Sequence, residues 1–144
     1  MIHVAFDACY SHPLPEGHRF PMAKYELLPR QLVHEGTCVE AQFFSPPLID
    51  RTEVIRTHHP EYLDRLLQLA LEAKEVRKIG FPLSEALVQR ELCIAQGTLE
   101  GAVHALTHKI AFNIAGGTHH AYANHGEAFC LLNDQAIAAN FLLA

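Results

Sequence analysis

The chain has 144 residues, 49% hydrophobic and 19% charged, which is the composition of a globular domain with a substantial core. A formal net charge of -5 without any Lys/Arg cluster argues against a sequence-independent nucleic-acid-binding surface. No stretch approaches the roughly 18 apolar residues of a membrane span, and the N-terminus lacks signal-peptide features. We therefore expect one soluble domain over residues 1–144.

The four cysteines predict a reducing compartment. They are widely separated, show no C-x-x-C spacing and lie mostly in apolar stretches, so they are interpreted as reduced thiols. The protein is accordingly expected to be cytoplasmic.

The first apolar run, residues 2–6, is typical of a buried strand because it ends abruptly at Asp7 and an irregular loop. Prolines, glycine and histidines fill that loop, residues 12–21. It is either a proline-stiffened surface connection or part of a pocket rim, and the sequence favours neither.

A helix is predicted from about Pro21 to about Glu35, since apolar side chains recur on one face until Gly36. Polar and apolar residues then alternate over residues 37–44. This alternation predicts a second strand at a half-solvated edge of the sheet.

Pro60 fits the first position of a further helix, which is expected to end by Gly80. His58 and His59 precede it and could reach a site, although loop or capping roles are favoured. The outer face of this helix carries mainly charged residues, and we interpret it as solvated.

Ser84 is the predicted N-cap of the next helix. An apolar stripe at steps of three and four predicts the face that packs on the sheet. Gly97 and Gly101 lie on the other side, where another element can approach closely. The stripe consists of Val88, Leu92, Ala95, Leu99, Ala102 and Leu106.

Residues 110–115 are apolar on both faces and predict a third, parallel strand buried between helices. The order of elements, β-α-β-α-α-β, predicts an α/β fold: a three-layer α/β/α sandwich around a parallel sheet. A last apolar helix is expected from about Asn133.

The chain is organised around the residues that follow the third strand. Gly116 and Gly117 permit a sharp turn at its C-terminal end, where open α/β sheets place their ligands. The adjacent imidazoles of His119 and His120 suit proton transfer near neutral pH. Surface or structural roles remain the alternative, since the chain has 11 histidines.

The motif GGTHHA, followed by FC-x-x-ND, resembles the histone deacetylase superfamily, which includes acetoin-utilisation proteins and acetylpolyamine amidohydrolases. Three further segments resemble this family: residues 12–28 (HPLPEGHRFPMAKYELL), residues 58–63 (HHPEYL) and residues 96–99 (QGTL). The wording of the first is closest to bacterial and class IV members. The resemblance spans the chain and implies an arginase-like fold with the first strand between the second and third.

The resemblance implies a zinc-dependent amidohydrolase acting on an acylated amine, of the acetyl-lysine or acetylpolyamine type. His119 and His120 then transfer protons, Phe129 lines the acyl-lysine tunnel, and the backbone at Gly117 borders it. The family's zinc ligands lie in an Asp-x-His segment and a later Asp, which this sequence lacks. No zinc is therefore expected to bind this chain, which is interpreted as the N-terminal part of the domain. The family usually has Gly where Ala128 precedes Phe129, so we expect a narrowed tunnel floor.

Two other function classes remain open. In the first, the chain is catalytically inactive and self-associates as a homo-oligomer through its exposed third strand. The second is a histidine-rich metal-binding module. It is disfavoured, since we identify no metal-ligand spacing among the histidines and no cysteine partners for them.

Overall fold

The computed structural model describes all of residues 1–144 and contains one parallel sheet with six α-helices. The strands are β1 (His3–Ala5), β2 (Phe43–Phe44) and β3 (Ala111–Asn113). The helices are α1 (Lys24–His34), α2 (Arg51–Val54), α3 (Pro60–Leu67), α4 (Ala73–Ile79), α5 (Glu85–His108) and α6 (Asp134–Leu142). Both the α/β class and the strand order β2-β1-β3 are confirmed.

The strands are shorter than the apolar runs that predict them. Only Phe43 and Phe44 of the predicted second strand pair with β1, because residues 40–42 form a 3₁₀ turn. The Gln42 side chain stabilises this turn by accepting a hydrogen bond from the Val39 N–H at 2.8 Å. Gln42 was interpreted as one polar position of an alternating strand over residues 37–44, but its side chain caps the turn instead.

The prediction that the third strand is buried on both faces is wrong. Ala111 and Asn113 face α5, and the Asn113 amide donates to the Ile94 carbonyl at 3.0 Å. Phe112 points to the opposite face and is 51% exposed. The reason is that α5 covers only one face of β3, while β3 itself forms an edge of the sheet.

Helix α5 begins as predicted, with the Ser84 hydroxyl accepting from the Leu87 N–H at 3.1 Å, but its orientation was predicted wrongly. A Cβ built on Gly97 would lie 2.5 Å from the Tyr10 hydroxyl and 3.1 Å from the Ala5 Cβ. The glycine face therefore packs against β1 and the adjoining Tyr10. The absence of a side chain lets the helix approach the sheet closely.

The apolar stripe of α5 lies in the main core instead of on the sheet. It packs there with side chains from α3, α6 and the segment before α6, including Leu63, Leu66, Leu131 and Ile137. Leu106, at the end of the predicted stripe, is 73% exposed. The apolar side chains spaced three and four residues apart on α5 therefore cover this core, and the opposite side of the helix faces the sheet.

The helix predicted from Pro60 to Gly80 is two helices, α3 and α4, separated at Leu69, whose φ of 55° is incompatible with a continuing helix. The short α2 was not predicted; the Asp50 carboxylate caps it by accepting from the Thr52 N–H at 2.7 Å. None of the helices has the length and apolarity that crossing a membrane requires.

Candidate active site

The diglycine after β3 makes the turn that the sequence predicts. Gly116 and Gly117 have φ values of 97° and 74°, in the region that favours glycine. A Cβ on Gly116 would lie 2.5 Å from a carboxylate oxygen of Asp134 and 3.0 Å from the Thr98 hydroxyl. The turn thus passes directly over the start of α6 and the middle of α5.

A buried polar network holds this turn in place. One oxygen of the Asp134 carboxylate, Oδ2, accepts hydrogen bonds from the Gly117 N–H at 2.8 Å and from the Thr98 hydroxyl. Asn113 at the end of β3 donates to the Thr98 hydroxyl oxygen at 2.9 Å. Burial raises the pKa of Asp134, and the hydrogen bonds from Thr98 and Gly117 oppose that rise. The roles of Asp134, Thr98 and Asn113 were not predicted from the sequence.

His119 and His120 lie two residues beyond this turn and are both exposed. Their ring centroids are 4.5 Å apart, and the ring planes are inclined by 32°. The two imidazoles are therefore adjacent in space as well as in sequence, at the carboxyl end of the sheet.

The loop that follows is anchored by Cys130 and His58. The buried Cys130 sulfur accepts from the Ala121 N–H at 3.2 Å and faces the Leu132 carbonyl at 3.3 Å. The buried His58 Nε2 accepts from the Asn133 N–H at 3.0 Å, so its Nδ1 donates to the Tyr122 carbonyl at 2.9 Å. This bonding confirms the interpretation of His58 as a loop histidine, and burial lowers its pKa.

Phe129 is delivered to the site by a strained turn. Ala128 and Phe129 have φ values of 48° and 63°, which are unusual for residues with a Cβ. Backbone hydrogen bonds from Ala128 N to Lys78 O at 3.0 Å and from Phe129 N to Ile79 O at 2.6 Å fix the turn to the end of α4. The Phe129 ring then packs in an aromatic cluster, with centroids 4.9 Å from Phe81 and 5.1 Å from Phe20.

The N-terminal loop takes part in that cluster, which favours the pocket-rim alternative for residues 12–21. The His18 Nε2 lies 2.9 Å from the Gly80 carbonyl, and the Phe20 N–H donates to His18 Nδ1 at 3.1 Å. These contacts bring Phe20 against Phe129.

A cavity of about 220 Å³ connects these parts. His120, Phe129 and Gly116 line this cavity, whereas His119 and Gly117 are not among its lining residues. The remaining lining residues are Phe20, Lys24, Tyr25, Arg90, Glu91, Ile94, Thr118 and Ala128. The proposed proton-transfer residue and the proposed tunnel residue therefore face one cavity.

A buried ion pair on α5 is among the residues that line this cavity. Arg90 and Glu91 are 3% and 5% exposed and are hydrogen-bonded to each other. The Arg90 Nε donates to the Tyr10 carbonyl at 2.6 Å, and the guanidinium lies 4.8 Å from the centre of the Tyr25 ring. Burial raises the Glu91 pKa to about 7, with Arg90 opposing and Asp134 adding to the rise. Adjacent charged residues in an amphipathic helix resemble a solvated face, so burial of this pair could not be predicted from the sequence.

Comparison of the sequence with family models identifies the family of the chain. Residues 18–144 match the model of the histone deacetylase domain. The chain belongs to the histone deacetylase family.

Individual relatives are similar to the chain along most of its length. An uncharacterized protein of Picosynechococcus sp. is 44% identical over 135 residues, which cover 94% of this chain and 45% of that protein. Histone deacetylase 2 of Arabidopsis thaliana is 28% identical over 131 residues, which cover 86% of this chain and 34% of the relative. The chain thus spans less than half the length of these relatives.

A solved structure of a histone deacetylase homologue complexed with SAHA has the same fold. It superposes with a TM-score of 0.83 at 20% identity, covering 99% of this chain and 41% of the other. The superposition supports the arginase-like, deacetylase-type arrangement of the sheet and helices.

The zinc ion of the histone deacetylase family does not fit the residues at this site. The chain brings metal-binding side chains together in two groups of three: His3, His104 and His108 form one, and Asp7, Cys9 and Cys93 the other. Neither group includes His119 or His120. The residues around the cavity therefore do not form a ligand set for a catalytic zinc.

Proposed function

We propose that this chain forms part of an amidohydrolase that removes an acyl group from an acylated amine, of the acetyl-lysine or acetylpolyamine type. The observation that carries the proposal is that His120 and Phe129 line the same cavity, while the exposed ring of His119 lies next to that of His120. Membership of the histone deacetylase family supports the reaction class. A homologue with the same fold binds SAHA, which supports a ligand-binding role for this fold.

In this proposal His119 and His120 exchange protons with the reacting groups. One imidazole accepts a proton from the attacking water, and an imidazolium then donates a proton to the leaving amine. Their exposure allows both rings to reach a bound substrate, and the network behind Gly117 fixes the backbone from which they project.

Phe129 and Gly117 are proposed to shape the substrate channel. The Phe129 ring presents an apolar wall to the methylene groups of an acyl-lysine side chain. Gly117 borders the entrance with backbone alone, which leaves room for the substrate. Zinc is expected in the complete family enzyme, with ligands outside this group of residues.

Replacing His120 with Ala in a full-length protein that contains this domain tests the proposal. Deacylation of an acetyl-lysine peptide or an acetylated polyamine should fall by at least about a hundredfold, the usual scale for losing a general acid-base group. His125→Ala provides a matched control, because His125 lies on the same loop and stacks against Tyr122, 4.4 Å away between ring centroids. Near-normal turnover of His120→Ala, with the control equally active, would remove the proton-transfer role.

A non-catalytic, self-associating chain is the second candidate, and the exposed ring of Phe112 on the edge strand favours it. For either candidate we propose a cytoplasmic location, because all four cysteines are free thiols. The net charge of -5 argues against nucleic acid as a direct partner.

A further inference from the structure

Three histidines meet at the end of the sheet opposite the candidate active site. His3 begins β1, while His104 and His108 lie in the last turns of α5. The ring centroid of His3 is 4.1 Å from that of His104 and 4.5 Å from that of His108. One ring nitrogen from each histidine lies within 4.8 Å of those of the other two.

The expectation that the histidines lack metal-ligand spacing is wrong for this cluster. His104 and His108 are separated by four positions, and four residues in an α-helix bring two side chains to the same face. The third imidazole comes from the parallel strand on which that face packs. Local spacing could not identify His3 as the third histidine, because it lies about a hundred residues away along the chain.

A metal ion binds the neutral form of imidazole, because that form carries a free nitrogen lone pair. His3, His104 and His108 each direct one such ring nitrogen into the same small region.

We propose that His3, His104 and His108 form a binding site for a divalent first-row transition metal ion of the zinc type. Imidazole nitrogen is a preferred ligand of zinc, copper, nickel and cobalt ions, whereas calcium and magnesium prefer oxygen. Three histidines with a fourth position open to water form a complete ligand set for zinc. The exposure of His108 keeps that fourth position accessible to solvent.

Closing the site requires only side-chain movement. In a tetrahedral zinc site with bonds of about 2.0–2.1 Å, ligand nitrogens lie about 3.3 Å apart. The stacked rings of His3 and His104, inclined by only 4°, must therefore turn toward a common point. His108 is exposed and can follow by changing its rotamer.

The bound ion would act as a clamp between β1 and α5. His3 is the first residue of the central strand, and His108 is the last residue of the longest helix. Metal that binds only the folded chain stabilises it by mass action. This role is independent of His119 and His120, which follow the opposite end of the sheet.

The test uses the full-length protein without a polyhistidine tag, freed of metal with a chelator that is then removed. Zinc is titrated by calorimetry into the wild type and into the double variant His104→Ala/His108→Ala. We expect one more zinc equivalent per chain in the wild type than in the double variant, and a zinc-dependent rise in Tm that the variant lacks. Comparing the two proteins separates this site from any other zinc in the molecule.

Three further measurements make the result decisive. His34→Ala, an exposed histidine on α1, is the matched control and should bind like the wild type. Copper in place of zinc should give an electron paramagnetic resonance spectrum with nitrogen coupling that the double variant loses. His108→Ala alone, at an exposed position, guards against misfolding and should also lose the zinc step. The proposal would be overturned if the wild type, the double variant and His108→Ala all bound the same number of zinc ions and showed the same zinc-dependent change in Tm.

Discussion

The carboxylate of Asp134 accepts a hydrogen bond from the backbone N–H of Gly117 at 2.8 Å. Asp134 is the first residue of α6 and is 1% exposed, whereas Gly117 belongs to the turn that leads to His119. The same carboxylate oxygen also accepts from Thr98 on α5. One buried acid therefore connects two helices to the backbone that presents the histidine pair.

Replacing Asp134 with Ala should destabilise the fold by about 2–4 kcal/mol, because the N–H of Gly117 and the Thr98 hydroxyl both lose their acceptor. Urea unfolding followed by circular dichroism measures this change. Gln135→Ala is the control: its amide donates to the Gly117 carbonyl at 3.2 Å, but from an exposed position. If both variants lost the same small amount, Asp134 would not be the anchor of the turn.

Ala128→Gly should stabilise the chain by up to about 1 kcal/mol. Ala128 has a φ of 48°, where a Cβ is unfavourable and glycine is not. Ala139→Gly, an exposed site within α6, should instead cost about 1 kcal/mol in helix propensity. The midpoint of urea unfolding should rise for Ala128→Gly and fall for Ala139→Gly, relative to the wild type. A lower midpoint for both variants would show that the Ala128 turn is not strained.

The sequence predicts best what backbone chemistry dictates locally. The turn at Gly116, the hydroxyl cap at Ser84 and the stop at Gly80, which has a φ of 85°, are all found where expected. Each depends on one residue type that few others can replace at that position. The central place of β1 came from the family resemblance and is also confirmed.

Features that depend on tertiary contacts were not predictable from the sequence. The period of the α5 stripe does not reveal whether it faces the sheet or a second layer of helices. Burial of the adjacent charges Arg90 and Glu91 requires a Tyr10 carbonyl and a Tyr25 ring that come from distant segments. The function of Asp134 likewise depends on the turn that folds over it.

His12 should make the chain less stable as the pH is lowered from 6.5 toward 4, a contribution that the raised pKa of Glu91 opposes. His12 is 4% exposed, and neither ring nitrogen has a hydrogen-bond partner. Burial, then the charges of Arg90 and His18, lower its pKa to about 4, from 6.5 in the unfolded chain. The unfolded chain therefore binds the proton first, which costs the native state about 3 kcal/mol by pH 4.

The variant His12→Leu isolates this contribution. Glu91, whose pKa is raised to about 7, makes the free energy of unfolding depend on pH with the opposite sign between pH 4.5 and 7. The quantity to compare is therefore the difference in free energy of unfolding between the variant and the wild type. The variant should become more stable relative to the wild type as the pH falls from 6.5 to 4. His34→Leu, an exposed site, should leave the pH profile unchanged. A difference that is independent of pH would show that His12 titrates normally.

Self-association of the 144-residue chain is expected through β3. This strand lies at the sheet edge, so one side of its backbone is unpaired, and Phe112 on its uncovered face is 51% exposed. Unpaired apolar edge strands recruit further strands, and two-fold dimers are the commonest closed assembly. Sedimentation equilibrium at micromolar concentration should therefore give a dimer or higher oligomer.

Phe112→Asp should shift the equilibrium toward monomer by placing a charge in the contact. Val39→Asp, next to the opposite edge and 58% exposed, should not. A monodisperse wild-type monomer, or equal dissociation by both variants, would contradict association through β3.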